Sequence, residues 1–377
     1  MKIYFDHAAT SPINPEVVEL MYQILKDDFG NPSSSHSFGR KAKAYIETSR
    51  KKIAELLNVT PAEIIFTSGG TEADNQILRG CVHDLGVKTI ISSPLEHHAV
   101  LHTIEELKEN NGINIEYVNL TPIGHIDMLH LEQLLQNSTN VLVSLMHANN
   151  EIGNMIDLKV VGDLCKKYNA LFHSDTVQTM GNYSLDFNEQ SGVNIDFAVG
   201  AAHKFNGPKG IGFMYVKKKH KFKPLISGGS QERELRAGTE NVYGIAGMSR
   251  ALEIAYSGLN EKQKHLQDIK SYFIDRIQSE LNEIKFNGDS NGQSSFTVLN
   301  LAIPPRLATE TLLFQFDLNG IAVSGGSACS SGSNKGSHVI RAIKMNEGYA
   351  PIRFSFGKTT KKEEVDIAID FLKSLFN

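Results

Sequence analysis

The chain has 377 residues, 41% hydrophobic and 21% charged, with a formal net charge of -4. That balance fits a soluble globular protein of one large and one smaller domain, long enough to bury its core without disulfides or a structural metal. The charge excludes the chain as a whole as an electrostatic partner for nucleic acid, and no apolar run approaches the ~20 residues a membrane helix needs.

In chain order, the first predicted element is a helix over 40–57, with Ile46, Ile53 and Leu57 near one face. Strands are then predicted over 63–67, 89–92, 114–119, 141–146, 171–174, 196–200 and 211–216. Helices over 71–85, 98–110, 129–136 and 158–168 lie between several of them. Strands alternating with helices imply a mostly parallel sheet covered on both faces, an α/β architecture. From 240 to 281 the pattern is helical, broken near Ser257-Gly258. Beyond it, strands over 295–302, 321–324 and 352–355 mix with helices over 310–319, 338–343 and 361–376. The expected division is a large domain over 14–257 and a smaller α+β domain over 258–377, joined by residues 1–13.

Three cysteines, Cys81, Cys165 and Cys329, are odd in number and far apart, which fits a reducing compartment rather than a disulfide framework. The N-terminal residues lack the apolar stretch of a signal peptide, so a cytoplasmic location is expected. Cys81 and Cys165 fall in amphipathic helices and suit an inert role. Cys329 falls in the Gly/Ser-rich stretch 325–336, a composition that makes a flexible tether. About six extended residues on either side give a reach of roughly 20 Å. Lys335, His338 and His97 are candidates to favour its thiolate.

Three segments carry the chemistry. Thr67-Ser68-Gly69-Gly70-Thr71-Glu72-Ala73 leaves a strand and opens a helix, presenting free N–H groups and a positive helix end to an anion, most readily a phosphate. Leu171-Phe172-His173-Ser174-Asp175 delivers a carboxylate at a strand's C-terminal end, where α/β sheets bind ligands, and Gln178 follows three residues later. Lys204, in Ala201-Ala202-His203-Lys204-Phe205-Asn206-Gly207-Pro208, sits between an apolar strand and a Gly/Pro turn, where partial burial makes a lysine a usable Schiff-base amine. Each has a plain alternative: an ordinary turn, a capping aspartate, an exposed loop lysine.

Taken together, in this order on this scaffold, the three segments resemble the aspartate-aminotransferase-like fold of pyridoxal-phosphate enzymes. They resemble most closely the NifS/IscS-like cysteine desulfurases of the class V aminotransferase group. The likeness runs nearly end to end, through Tyr4-Phe5-Asp6-His7-Ala8-Ala9-Thr10, Gly30-Asn31-Pro32-Ser33-Ser34, His36-Ser37-Phe38-Gly39-Arg40, Glu96-His97-His98, Met146-His147-Ala148-Asn149-Asn150-Glu151, Arg236-Ala237-Gly238-Thr239-Glu240-Asn241 and Ser327-Ala328-Cys329-Ser330-Ser331-Gly332.

The resemblance implies a role for each matching residue. Lys204 would be the Schiff-base lysine, Asp175 the partner of the pyridinium nitrogen, and Asn150 and Gln178 contacts of the ring hydroxyl. His97 would stack on the ring and act as acid or base. Gly70, Thr71 and His203 would hold the phosphate, joined by Thr239 from a second subunit, which implies a homodimer. Asn31 and Arg353 would clamp the substrate carboxylate. Cys329 would take the sulfur of L-cysteine as a persulfide, leaving L-alanine, for iron–sulfur cluster assembly or tRNA thiolation. Relatives often carry a serine where Ala201 stands, so weaker cofactor binding is expected.

Two other features have bland readings. His98, His102 and Glu106 lack any metal-ligand motif, so no metal is expected and His98 and His102 read as a solvated helix face. The basic run Lys217-Lys218-Lys219-His220-Lys221-Phe222-Lys223 reads as a solvated turn, with an acidic partner or a tRNA-handling complex as the alternative. Longer relatives carry a C-terminal extension that docks the iron–sulfur scaffold. An end at Leu375-Phe376-Asn377 therefore raises the expectation of delivery to tRNA thiolation. The rival activities are an aminotransferase or selenocysteine lyase on the same fold, or a silent scaffold.

Overall fold

In the computed structural model, which describes residues 2–305, 308–326 and 336–376, apolar residues alternate strictly along the central strands. Ile64, Phe66, Val141, Val143, Phe172, Phe213 and Tyr215 belong to one buried cluster, while Ile65, Leu142, Phe197, Val199, Met214 and Val216 belong to another. With a period of two, such runs can be satisfied only by a sheet covered on both faces.

The chain begins with β1 (Ile3–Tyr4), α1 (Pro15–Asp27) and α2 (Ser37–Leu56), then alternates: β2 (Ile64–Thr67), α3 (Gly70–His83), β3 (Thr89–Ser92), α4 (His98–Asn111), β4 (Asn114–Tyr117), α5 (Met128–Gln136), β5 (Val141–Ser144), α6 (Leu158–Lys167), β6 (Leu171–Asp175), β7 (Phe197–Ala201) and β8 (Gly212–Val216). The sheet order is β2-β8-β7-β6-β5-β3-β4. From β7 to β4 every pair is parallel, and β8 runs antiparallel to both β2 and β7. Helix α1 was not anticipated, although its start is written in the chain: Asn14 caps the backbone N–H of Glu16 and Pro15 fills the first turn.

Two long helices follow, α7 (Val242–Ser257) and α8 (Leu259–Glu280), parted at Gly258 where the sequence predicts the break. The remaining elements are β9 (Lys285–Phe286), β10 (Val298–Ile303), α9 (Thr309–Leu318), β11 (Ile321–Ala322), α10 (His338–Ile343), β12 (Ala350–Ser355) and α11 (Lys362–Ser374). Strands β12, β10 and β9 form an antiparallel sheet, and a separate core gathers Phe273, Leu301, Phe316, Phe354 and Ile369. Ile3 and Phe5 join that core, and β1 pairs with β11 in parallel, so the first residues pack against the last third of the chain.

The basic run after β8 is less solvated than expected. Lys217 pairs with Glu189, Lys219 and His220 with Asp196, and Phe222 is buried against Phe197. No helix among the described residues is long and apolar enough to cross a membrane.

Candidate active site

The C-terminal ends of β2, β3, β5, β6 and β7 and the N-terminal segment meet at one cavity of about 260 Å³. The parallel strands deliver their C-terminal ends to the same edge of the sheet, the place where α/β sheets bind ligands. Lining it are Gly70, Thr71, His97, Asn150, Asp175, Gln178, His203, Lys204 and Arg353, nine of the residues singled out from the sequence. Ala8, Ala9, Asp74, Met146, Val177 and Ala201 complete the wall.

At one end, α3 begins at Gly70 with no side chain capping its first turn, so its amide groups face an anion-sized space. A side chain at Gly70 would place a Cβ 2.9 Å from Val177 Cγ2 and fill that space. His203 stands nearby, its Nδ1 3.3 Å from Thr10 Oγ1, and burial pushes its pKa down to about 4. Ala201, the last residue of β7, contributes only a methyl group.

Along the floor, Asp175 ends β6 and accepts a hydrogen bond from the backbone N–H of Val177 at 2.9 Å. Burial raises its pKa, and the nearby His97 and Lys204 pull it back down. His173 points from the same face of the strand, with Nδ1 2.9 Å from Ser144 Oγ and Nε2 3.3 Å from Asp74 Oδ1. Asp74 was not anticipated as a site residue. It sits one turn into α3, wholly buried, and burial together with Asp175 and Glu96 raises its pKa well above the usual range. Its signal was its spacing: four residues after Gly70, it falls on the helix face that looks at the sheet.

His97 caps α4, its Nδ1 accepting from the backbone N–H of Ala99 at 3.1 Å. In a neutral ring that bond leaves the proton on Nε2. Burial lowers the pKa of His97, and the carboxylate of Asp175 opposes the shift. Lys204 Nζ donates to the carbonyls of Ala8 at 2.5 Å and Ala9 at 2.9 Å. Gln178 Nε2 reaches the same Ala8 carbonyl at 3.1 Å. The N-terminal segment thus forms a wall of the site.

Arg353 is buried, donating to the carbonyl of Asn150 at 2.9 Å and to Asp6 Oδ1 at 2.6 Å. Its Nε has no partner among the described residues. Asn31 and Thr239 do not line this cavity. Asn31 turns its side-chain oxygen to the N–H of Ser33, and Thr239 lies in another depression with Thr67, Ser68 and Asn241. Cys329 and Lys335 lie outside the described residues. His98 departs from the solvated reading: its ring packs on His102 and His338, with centroids 4.7 and 4.5 Å apart, while His102 is exposed. His338 Nε2 in turn meets the carbonyl of Glu96 at 2.9 Å. No group of side chains among the described residues has the geometry of a metal site.

These features fit pyridoxal phosphate: uncapped amides and His203 for a phosphate, an amine for a carbonyl, a buried carboxylate for a pyridine nitrogen, and an imidazole beside the ring's place.

Comparison with known proteins supports the same chemistry. A family model described as aminotransferase class-V matches residues 3–367. The chain is 40% identical over 381 residues to the cysteine desulfurase IscS of Dictyoglomus turgidum, covering 99% of this chain and 94% of that one. It is 41% identical over 373 residues to the putative cysteine desulfurase IscS 1 of Bacillus subtilis, covering 97% and 96%. Among solved structures, a NifS-like protein superposes with a TM-score of 0.91 at 34% identity, covering 100% of this chain and 99% of that one. A structure described as SspA in complex with cysteine gives 0.80 at 30% identity, covering 94% and 99%.

Proposed function

The chain belongs to the aminotransferase class-V family, and on that premise we propose that it is a pyridoxal-phosphate-dependent cysteine desulfurase that moves the sulfur of L-cysteine to Cys329 and releases L-alanine. One observation carries the reading: Lys204, Asp175, His97 and Arg353, from four separate stretches of sequence, line a single cavity.

Bound pyridoxal phosphate would supply an electron sink for the carbanion at the substrate Cα. The family's pattern and the shared cavity support these roles for the protein groups. Arg353 binds the substrate carboxylate through a guanidinium already oriented by Asp6, and Asn31, which lies off the cavity wall, would join it. Lys204 Nζ takes the Cα proton, and the Ala8 and Ala9 carbonyls are acceptors for the ammonium that results. His97 exchanges a proton at Nε2. Asp175 would pair its carboxylate with the ring nitrogen, while Gly70, Thr71 and His203 would hold the phosphate and Asn150 and Gln178 the ring hydroxyl. The Cys329 thiolate attacks the substrate sulfur: an S–S bond forms, the carbon–sulfur bond breaks, and its electron pair returns to the carbon skeleton that leaves as alanine.

A homodimer completes the site in this reading, with Thr239 serving the partner's phosphate. Two observations support it. The segment bearing Thr239 is anchored by Arg236 on Glu72 at 2.9 Å, yet Thr239 itself lies in a depression with Thr67 and Ser68 and not in the cavity of its own chain. The outer face of α1 exposes Val18, Tyr22 and Leu25, followed by Phe29 stacked on Phe38 at 5.5 Å, an apolar stripe of the kind that subunits cover. The large domain spans 14–257 and the small one 1–13 with 258–377, and the work is cytoplasmic. The acceptor of the persulfide is a protein of iron–sulfur assembly or of tRNA thiolation.

The test is direct. The purified protein should turn yellow with pyridoxal phosphate, convert L-cysteine to alanine, and hold a persulfide on Cys329 that Cys329→Ala lacks. Keto acid in place of alanine would mark an aminotransferase; turnover confined to selenocysteine would mark a lyase; a yellow protein releasing neither product would mark a silent scaffold.

A further inference from the structure

Beside the main cavity lies a second of about 20 Å³, which shares Ala8, Gln178 and Lys204 with it and is otherwise lined by groups including His7, Asn182, Lys262 and Lys358. Lys262, in the first turn of α8, is only 8% exposed. Its Nζ donates to the Gly181 carbonyl at 3.0 Å, its one acceptor among the described residues. A lysine ammonium has three N–H donors, so two remain.

No carboxylate pairs with Lys262 among the described residues. Its charged neighbour is Lys358, another cation, and Lys262 itself presses on His7. Burial and Lys358 lower the pKa of Lys262 to about 8, which still leaves most copies charged at neutral pH. A buried charge with a like charge beside it is unfavourable unless something of opposite sign accompanies it.

We propose that this cavity binds a monovalent anion of halide size, held by Lys262 Nζ and faced by Lys358. A space of about 20 Å³ admits one particle near the dimensions of water, and a halide is the monovalent anion nearest that size. Because Lys204 lines both cavities, the anion also offsets the cationic charge that Lys262 and Lys358 place near that amine.

The probe is bromide. Crystals of the cofactor-loaded protein grown with sodium bromide in place of chloride should show an anomalous peak in contact with Lys262 Nζ. In solution, its thermal midpoint should rise saturably in sodium bromide relative to sodium gluconate at equal ionic strength. Lys262→Met should abolish that difference. Lys358→Met, a substitution at an exposed residue, should shift the half-saturating bromide upward about three- to tenfold, the loss of one nearby cation. A site holding only water in the anomalous map, or a bromide dependence unchanged in both variants, would overturn the inference. Should Lys262→Met not fold, the bromide map and Lys358→Met decide it.

Discussion

Arg353 donates from its guanidinium to Asp6 Oδ1 at 2.6 Å, so the sixth residue of the chain orients a side chain that enters the site from the last strand of the fold. The pair is buried on the arginine side and joins the N-terminal segment to β12.

Replacing Arg353 with Lys should therefore damage substrate binding more than chemistry. A lysine cannot present two parallel donors to a carboxylate, and losing one charge-assisted hydrogen bond costs about 1.5–3 kcal/mol. We expect KM for L-cysteine to rise roughly 10- to 100-fold while kcat changes less. Asp6→Asn, which leaves the guanidinium in place but holds it less firmly, should raise KM by a smaller factor. Steady-state kinetics with L-cysteine check both, and an unaltered KM in Arg353→Lys would remove it from the carboxylate clamp.

Activity should fall on the acid side only below the ordinary histidine range. Burial lowers the pKa of His97, so the ring stays neutral as pH drops through 6.5, and the Asp175 carboxylate limits how far the shift goes. Asp175→Asn removes that limit and should move the acid limb of kcat/KM to lower pH, besides weakening turnover. His97→Asn should cost about 10²- to 10⁴-fold in kcat. A pH–rate profile for each variant provides the measurement.

Asp74 carries a stability signature. Its folded-state pKa is raised above the usual 3.8 by burial, Asp175 and Glu96, so the native protein without cofactor holds a proton that the unfolded chain releases. The contribution is fully present below pH 3.8 and is lost as pH rises through the raised folded value. Asp74→Asn keeps the shape without the ionisation. The stability of wild-type apoprotein relative to Asp74→Asn should therefore decline as pH rises from about 4, measured by urea unfolding across pH. A flat difference would mean that Asp74 is ionised in the native state.

Restoring a hydroxyl at Ala201 should tighten the cofactor. Its methyl lines the cavity beside Gly70, 3.9 Å from the position a Cβ there would take. One more donor to a phosphate is worth about 1.5–3 kcal/mol, so Ala201→Ser should lower the Kd for pyridoxal phosphate roughly 10- to 100-fold. Fluorescence titration of the apoprotein reads this directly.

Thiol labelling should separate the cysteines. Cys81 and Cys165 are buried, and burial raises both thiols. The native protein should react quickly at one thiol per chain, at all three after unfolding, and at none quickly in Cys329→Ser.

Much of this protein is determined by local patterns that the sequence displays. The period-two apolar runs, the Gly69-Gly70 turn into α3 and the break at Gly258 are nearest-neighbour chemistry, and the elements they predict lie where expected to within a few residues. Helix α1 escaped notice although Asn14-Pro15 announces it. The motifs carried Lys204, Asp175 and His97 to one site because each ends or follows a strand whose C-terminal end faces the same edge of the sheet, while Arg353 enters from β12 of the smaller sheet. What only the tertiary structure decided are contacts between distant segments: Asp6 on Arg353, the Ala8 and Ala9 carbonyls on Lys204, Asp74 over His173, and the His98 ring packed on His338 rather than in water. No spacing rule encodes these. They arise when two cores and the N-terminal segment pack together, and burial then sets which protons and charges the side chains can keep.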